Sequence, residues 1–183
     1  MNWYTADLHL NHDAVIRFCK RPFSSVTAMD NQICEGIVSL VAADDDLWIV
    51  GDFAFARMED RPKIVARFSA LPGRKHLIVG NHDRSWVREL AWTSRQDIAV
   101  VRDGDTTFVL CHYPMLTWPQ ARYGSIHLFG HVHNNWLGSR NAVNVGVDVW
   151  NFAPTNRIDI LRRATAQPIN AHWSDVEPGS YLE

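Results

Sequence analysis

Short, continuous apolar runs alternate with amphipathic stretches over the first half of the chain. Residues 3–6, 47–50 and 76–79 read as strands, and the last two have the unbroken apolar character of strands buried on both faces. Residues 12–20 and 27–42 read as helices. In the second, Ile33, Ile37, Leu40 and Val41 recur at three- and four-residue spacing as one apolar face. Asp60 with Pro62 predicts a helix start, running to about Ala70, and Pro72-Gly73 its end. Residues 85–92 read as a short helix. The second half is β-rich. Residues 98–101 and 106–110 flank Asp103-Gly104, a hairpin signal, and 126–129, 142–147 and 157–161 follow as strands. The pattern predicts parallel crossovers first, a more antiparallel finish, and packing in layers. Residues 1–163 are expected to form one domain. Residues 164–183, with Pro168, Pro178 and Gly179, are expected to form a C-terminal wrap or tail.

Composition narrows the class. With 183 residues, the chain suits one domain with a sizeable core. A formal net charge of −2 argues against an extended nucleic-acid surface or a broad grip on anionic membrane. No run approaches the roughly 20 apolar residues of a membrane span. Cleavage of a leader would remove Asp7, so no signal peptide is expected. Cys19, Cys34 and Cys111 are odd in number and lack C-x-x-C spacing, which reads as free thiols in a cytoplasmic protein.

Chemistry enters through five short motifs, each at the end of an apolar run: Asp7-Leu8-His9, Gly51-Asp52, Gly80-Asn81-His82-Asp83, Cys111-His112 and Gly130-His131-Val132-His133. They supply carboxylate, imidazole and carboxamide donors, which suit divalent transition metals rather than a thiolate site. Strand-like alternation is expected to turn Asp7 and His9 to one side, and His131 and His133 likewise. Ligands in open α/β sheets gather beyond the carboxyl ends of strands, so five strand-end motifs can converge. Gly51, Gly80, Gly124 and Gly130 would allow sharp turns and close approach. Singly, each motif is common. A lone D-x-H, Gly-Asp or H-x-H is more often chance than ligand, and the order of all five carries the reading.

The set resembles the calcineurin-like metallophosphoesterases, whose pattern is D-x-H, GD, GNH[DE], H and GHxH. The resemblance spans Asp7 to His133. It implies an α/β fold, a layered α-β-β-α sandwich of two packed mixed sheets flanked by helices. It implies two divalent transition-metal ions, manganese first, with iron, zinc, nickel or cobalt as alternatives. One would be held by Asp7, His9, Asp52 and His133, the other by Asp52, Asn81, His112 and His131, with Asp52 bridging. His82 would be the general acid, with Asp83 orienting it and raising its pKa; the bland alternative is that His82 caps a helix. D-x-H-x-x-H, which adds His12, and residues 144–150 resemble small bacterial and phage members. His12 and Asp148 are therefore expected beside ligands or substrate. Arg17, Arg21, Phe53, Phe55, Arg57, Arg84, Tyr113, Asn134 and Trp150 are candidate substrate contacts. His76, His127 and His172 carry no motif and read as structural.

The favoured function is hydrolysis of phosphodiesters of small, nucleotide-type substrates, cyclic nucleotides included. An intact His82 can assist an unactivated leaving group, as diesters demand. The alternatives are a phosphomonoesterase on small metabolites and a non-catalytic protein-binding scaffold, as in the retromer subunit built on this fold. Gly51-Asp52-Phe53-Ala54-Phe55-Ala56-Arg57 departs from the G-D-x-V-D-R-G of the family's protein phosphatases. Gly80-Asn81-His82-Asp83 departs from the G-N-R-D of its lipid-precursor pyrophosphatases. The family's cyclic-AMP diesterases resemble this chain in GNHD and in the His-x-Pro of His112-Tyr113-Pro114. The family's double-strand-break nucleases carry a capping region for which the fifty residues after His133 leave little room.

Overall fold

The apolar runs of the first half become strands whose alternate residues face two different cores. The structure, a computed structural model, describes residues 1–180. β1 (Asn2–Thr5), β2 (Asp46–Val50) and β3 (Arg74–Ile78) run parallel. Trp3, Leu47, Ile49 and Leu77 enter an outer core, while Tyr4, Val50 and Ile78 enter an inner one.

Parallel neighbours need crossovers, and helices supply them here. α1 (Asp13–Phe18) and α2 (Val26–Leu40) lie between β1 and β2, and α3 (Arg61–Ala70) between β2 and β3. The Ser25 hydroxyl accepts the Ala28 amide and starts α2. This helix buries Met29, Ile33 and Ile37. Leu40, expected on the same face, is exposed, and Val41 turns inward instead. α4 (Ser85–Arg88) ends well before residue 92, and β4 (Ser94–Gln96) extends the sheet parallel to β3.

The second sheet contains β5 (Ile98–Asp103), β6 (Thr106–Cys111), β7 (Ile126–Phe129), β8 (Gly138–Ser139) and β9 (Ala142–Asn144), in the order β5-β6-β7-β9-β8. The β5–β6 hairpin turns through Gly104 at φ +62°. β6, β7 and β9 are parallel neighbours, so the sheet is mixed. Phe108, Leu110, Leu128 and Val143 face the inner core. Val109, Phe129 and Ala142 face outward against Trp118 and Trp173. β10 (Thr155–Asn156) pairs antiparallel with β1 and completes the first sheet. The layered sandwich of helices around two mixed sheets is the one expected.

Two strand expectations are corrected. Residues 157–161 are the start of α5 (Arg157–Ala166), because the Asn156 side-chain oxygen accepts the amides of Ile158 and Asp159. Ile160 and Ala164, four residues apart, then bury together. The strand expected over 142–147 stops at Asn144, whose side-chain oxygen accepts the Gly146 amide and turns the chain. Beyond α5, α6 (Trp173–Val176) seats Trp173 against Trp118, ring centroids 5.3 Å apart. Of the expected tail, 181–183 lie outside the described residues. Among the described residues no helix is long and apolar enough to cross a membrane, and the three cysteines are unpaired.

One buried histidine makes the fold sensitive to acid. His127 in β7 is fully buried, with Nδ1 2.9 Å from the Val109 carbonyl and Nε2 3.1 Å from that of Tyr113. Burial pushes its imidazole down to about 4, and the two carbonyls offset only part of that. An unfolded chain takes up this proton near pH 6.5, whereas the folded chain resists it down to about 4. This contribution to stability is therefore complete above pH 6.5 and is lost as pH falls toward 4. Between neutral pH and that acidic limit, His127→Gln is expected to lose about 3 kcal/mol less stability than the parent. Urea unfolding in chelator measures this, and parallel pH curves for the two proteins would contradict it.

Candidate metal centre

β1, β2, β3, β6 and β7 each lead into one of the five motifs, and the backbone turns sharply there. Asp7, His9, Asp52, His131 and His133 all have left-handed φ, at 56°, 52°, 56°, 69° and 50°. Each such residue costs on the order of 1 kcal/mol, and clusters of them mark functional sites. The extended alternation expected at 7–9 and 131–133 is therefore corrected. The paired side chains reach one side through left-handed turns around Leu8 and Val132. The loops are stitched by backbone bonds from Asp7 N–H to Gly51 O, His9 N–H to Asp52 O, and Gly130 N–H to His112 O. Gly51 (φ +87°) lies against the His112 ring and Gly80 against the Asp52 carboxylate, and neither position has room for a Cβ.

All seven expected donors come together. Asp52 Oδ2 lies 3.4 Å from Nε2 of both His9 and His112, and its Oδ1 accepts the His82 amide at 2.8 Å. Both Asp7 oxygens accept the His131 amide, at 2.9 and 3.0 Å. Asn81 Oδ1 lies 3.0 Å from His112 Nε2 and 3.0 Å from His131 Nδ1. The His9 and His133 rings stack at 5.1 Å. Donor atoms of Asp7, His9 and His133, and separately of Asp7, Asp52 and His112, fall within 4.8 Å of one another. Asp7, His9, Asp52 and His112 are buried, whereas Asn81 and His131 face solvent.

Electrostatics follow from this crowding. Burial acts to raise the Asp52 carboxyl, yet His112, His9 and the His82 amide together hold it at about 2. Burial pushes Asp7 up to about 6 against the pull of His133 and His112. Burial also drives His9 well below the usual histidine value. Its Nε2 is buried without a hydrogen-bond partner. A buried neutral imidazole nitrogen facing two carboxylates has the chemistry of a ligand, and the oxygen and nitrogen donor set fits divalent transition metals.

Behind the donors lie the groups that aim them. His112 Nδ1 faces the Val50 carbonyl at 2.9 Å, which turns Nε2 into the cluster. His133 Nδ1 lies 2.8 Å from Asp148 Oδ2. Arg21 clamps Asp148 through Nε and Nη2, at 2.7 and 2.8 Å, and donates to the carbonyls of Asp7 and Leu8. Arg21 is buried, so its expected role as a substrate contact is corrected to that of an internal strut. No spacing or motif signalled that role. His12 Nδ1 lies 3.2 Å from His9 Nδ1, and its ring packs on Phe55 at 4.2 Å.

Three more expectations change. Asp83 does not turn toward the His82 ring. Its buried carboxylate accepts the amides of Gly80, Asp52 and Phe53, at 2.8, 3.0 and 2.9 Å, and so ties the loop after β2 to the loop after β3. Phe53 is core, packed on Phe68 and Trp92. Trp150 donates its indole N–H to the Asn144 carbonyl and carries Arg163 over its ring. The others stay outside the buried cluster. The half-buried His82 ring lies 5.2 Å from His9 and 5.3 Å from Phe55. Tyr113 is exposed and lies 4.5 Å from the His131 ring. Arg84 lies over Phe55. Arg17 and Arg57 are exposed, Arg57 near Glu59, and Asn134 donates to the Cys19 carbonyl.

No family model matches the chain. In sequence it is similar to the gene 66 protein of Mycobacterium phage L5, with 26% identity over 180 residues covering 81% of this chain and 86% of the phage protein. It is also similar to an uncharacterized protein of Methanocaldococcus jannaschii, with 27% identity over 163 residues covering 85% and 86%. Its fold is similar to that of a protein of unknown function from Aquifex aeolicus, with TM-score 0.73, 21% identity, and coverage of 89% of this chain and 98% of that one. It is similar as well to Yfce, a phosphoesterase from E. coli, with TM-score 0.50, 15% identity, and coverage of 79% and 77%. At these identities the two structural likenesses are likenesses of fold.

The neighbours Asp83 and His82 should respond differently to truncation. Asp83→Ala leaves three buried amides without an acceptor and is expected to cost about 3 kcal/mol or more. His82→Ala removes a half-buried ring and is expected to cost about 1 kcal/mol or less. Denaturant unfolding in chelator measures both. An Asp83→Ala midpoint equal to the parent's would contradict a stabilising clamp at Asp83.

Proposed function

We propose that the chain is a metal-dependent phosphoesterase with a binuclear centre, hydrolysing phosphodiester bonds of small nucleotide-type substrates, cyclic nucleotides among them. The observation that carries this reading is the Asp52 carboxylate, equidistant at 3.4 Å from the Nε2 atoms of His9 and His112. One ion would be held by Asp7, His9, Asp52 and His133, the other by Asp52, Asn81, His112 and His131, with manganese the first metal to test. When bound, such a pair polarises a phosphate and lowers the pKa of water within its reach. Yfce, of similar fold, is a phosphoesterase, in keeping with this reading.

The chain's own groups do the rest. Asn81 contributes a neutral oxygen, which limits the negative charge facing an anionic substrate. Asp148, itself clamped by Arg21, fixes the orientation of the His133 ring. His82 lies beside the cluster, and among the described residues its ring makes no hydrogen bond or ion pair with a carboxylate; on this reading it gives a proton to the departing oxygen. An alkoxide leaving group needs that proton and p-nitrophenolate hardly does. A cytoplasmic setting suits the three unpaired thiols.

Purified protein with manganese is expected to cleave bis-p-nitrophenyl phosphate in preference to p-nitrophenyl phosphate, and chelator is expected to abolish turnover. Asp52→Asn should lose activity on the order of a hundredfold or more. His82→Ala should lose on the order of a hundredfold in kcat on an alkyl diester and much less on the nitrophenyl ester. Preference for the monoester would replace diesterase with phosphatase. Absence of cleavage with metal bound would overturn the catalytic reading.

A further inference from the structure

Two clefts flank the segment that carries His82, and their charges differ. The larger, about 640 Å³, opens beside Asn81 and is lined by Arg84, Arg88 and Arg95. Among the described residues, the arginine ion pairs involve Arg21, Arg57, Arg67, Arg74, Arg157 and Arg162, and none of the three cleft arginines. Two of them are instead aimed by neutral groups. Arg88 Nε donates to the Asp83 carbonyl at 2.5 Å, and Arg95 Nη1 donates to the Arg88 carbonyl at 2.6 Å. A carbonyl fixes a guanidinium without cancelling its charge, which leaves the fork available to an anion.

The balance of the wall supports this. Glu89 and Asp97 also line the cleft, while the Asp83 carboxylate is taken up by its three amides. Three guanidiniums thus stand against two open carboxylates, in a chain whose overall charge is −2. The second cleft, about 510 Å³, shares Arg84 and adds Arg57, but it also carries Asp13, Glu59 and Asp60. A substrate lying across the cluster would meet a cationic wall on one side and a mildly acidic one on the other.

We propose that the Arg84, Arg88 and Arg95 cleft is a phosphate subsite. The preferred substrate is then a linear diester with a second phosphate on one arm, of the kind a short single-stranded oligonucleotide presents, rather than a cyclic mononucleotide. The substrate assignment rests on the diesterase reading above, whereas the anion subsite stands on the arginines alone. Phosphate oxygens accept charge-assisted, bidentate bonds from arginine, and this contribution weakens as salt rises.

The test compares a thymidine dinucleotide with its terminally phosphorylated forms. With manganese, one phosphorylated form is expected to show about tenfold higher kcat/KM, expressed mainly in KM, and that ratio should fall toward one in Arg95→Gln and Arg84→Gln. In chelator, where turnover stops, calorimetry should still find tighter binding of the same phosphorylated form, and the preference should disappear in 0.5 M salt. Cleavage of all forms at equal rates would overturn the subsite and leave the diesterase standing. Equal binding in chelator would overturn it whatever the activity. Inorganic phosphate binding in the cleft with no preference among dinucleotides would make it a free-anion site and overturn the substrate assignment. No cleavage, with the binding preference intact, would remove the diesterase reading and the substrate assignment while upholding the anion subsite.

Discussion

Two carboxylates, Asp7 and Asp52, are held out of water just past adjacent parallel strands, and much of the local architecture exists to keep them there. A buried carboxylate without fixed donors takes up a proton, so each needs partners that the fold supplies rigidly. Asp7 receives the His131 amide from the loop after β7, and Asp52 receives the His82 amide from the loop after β3. The first bond joins the two sheets, and the second joins the loops after β2 and β3 within one sheet. Left-handed φ at both aspartates is the local consequence. An extended residue at those points would keep its side chain over a face of the sheet rather than in the space beyond the strand's end.

The supporting charges are distributed with economy. Arg21, hydrogen-bonded to Asp148, also holds the carbonyls of Asp7 and Leu8, so a single buried cation braces the Asp7 turn and indirectly aims His133. Asp83 does the equivalent for the loops after β2 and β3, using three amides instead of a cation. Loss of either group leaves buried partners unsatisfied, which costs far more than the interaction itself contributes. The left-handed residues are tolerated for the same reason, since several independent bonds fix each turn and no single one can relax it.

Much of this was legible in the sequence because the information was local. Unbroken apolar runs mark strands buried on both faces, and the chemistry-bearing motifs begin where those runs stop. What escaped depended on distant partners. Ile158-Asp159-Ile160 alternates like a strand, and only the Asn156 cap and the packing of Ile160 with Ala164 make it helix. β4 is Ser-Arg-Gln, too polar to signal a strand, and exists because β3 offers an edge. Asp83 adjoins His82 in sequence, yet its nearest donors include residues thirty positions earlier. Arg21 sits among ordinary loop residues and acquires its role from Asp148, 127 residues away. The convergence of the five motifs was readable from their order and their places at strand ends, but the side chains that brace them were not.

The asymmetry around Arg84 bears on which bond would break. A general acid must reach the oxygen that leaves, so on the proposed reading the departing arm lies on the side of His82 and Phe55. On that side the His12 ring packs on Phe55 beneath the shared Arg84, and Asp13, Glu59 and Asp60 line the cleft, so an arm without a charged phosphate is favoured there. The arm beside Asn81 meets Arg88 and Arg95 instead, and there a charged group is favoured. If both preferences act together, they orient an unsymmetrical diester before any chemistry occurs. Orientation of that kind selects one of the two ester bonds at the scissile phosphate, because only one of its bridging oxygens then faces His82.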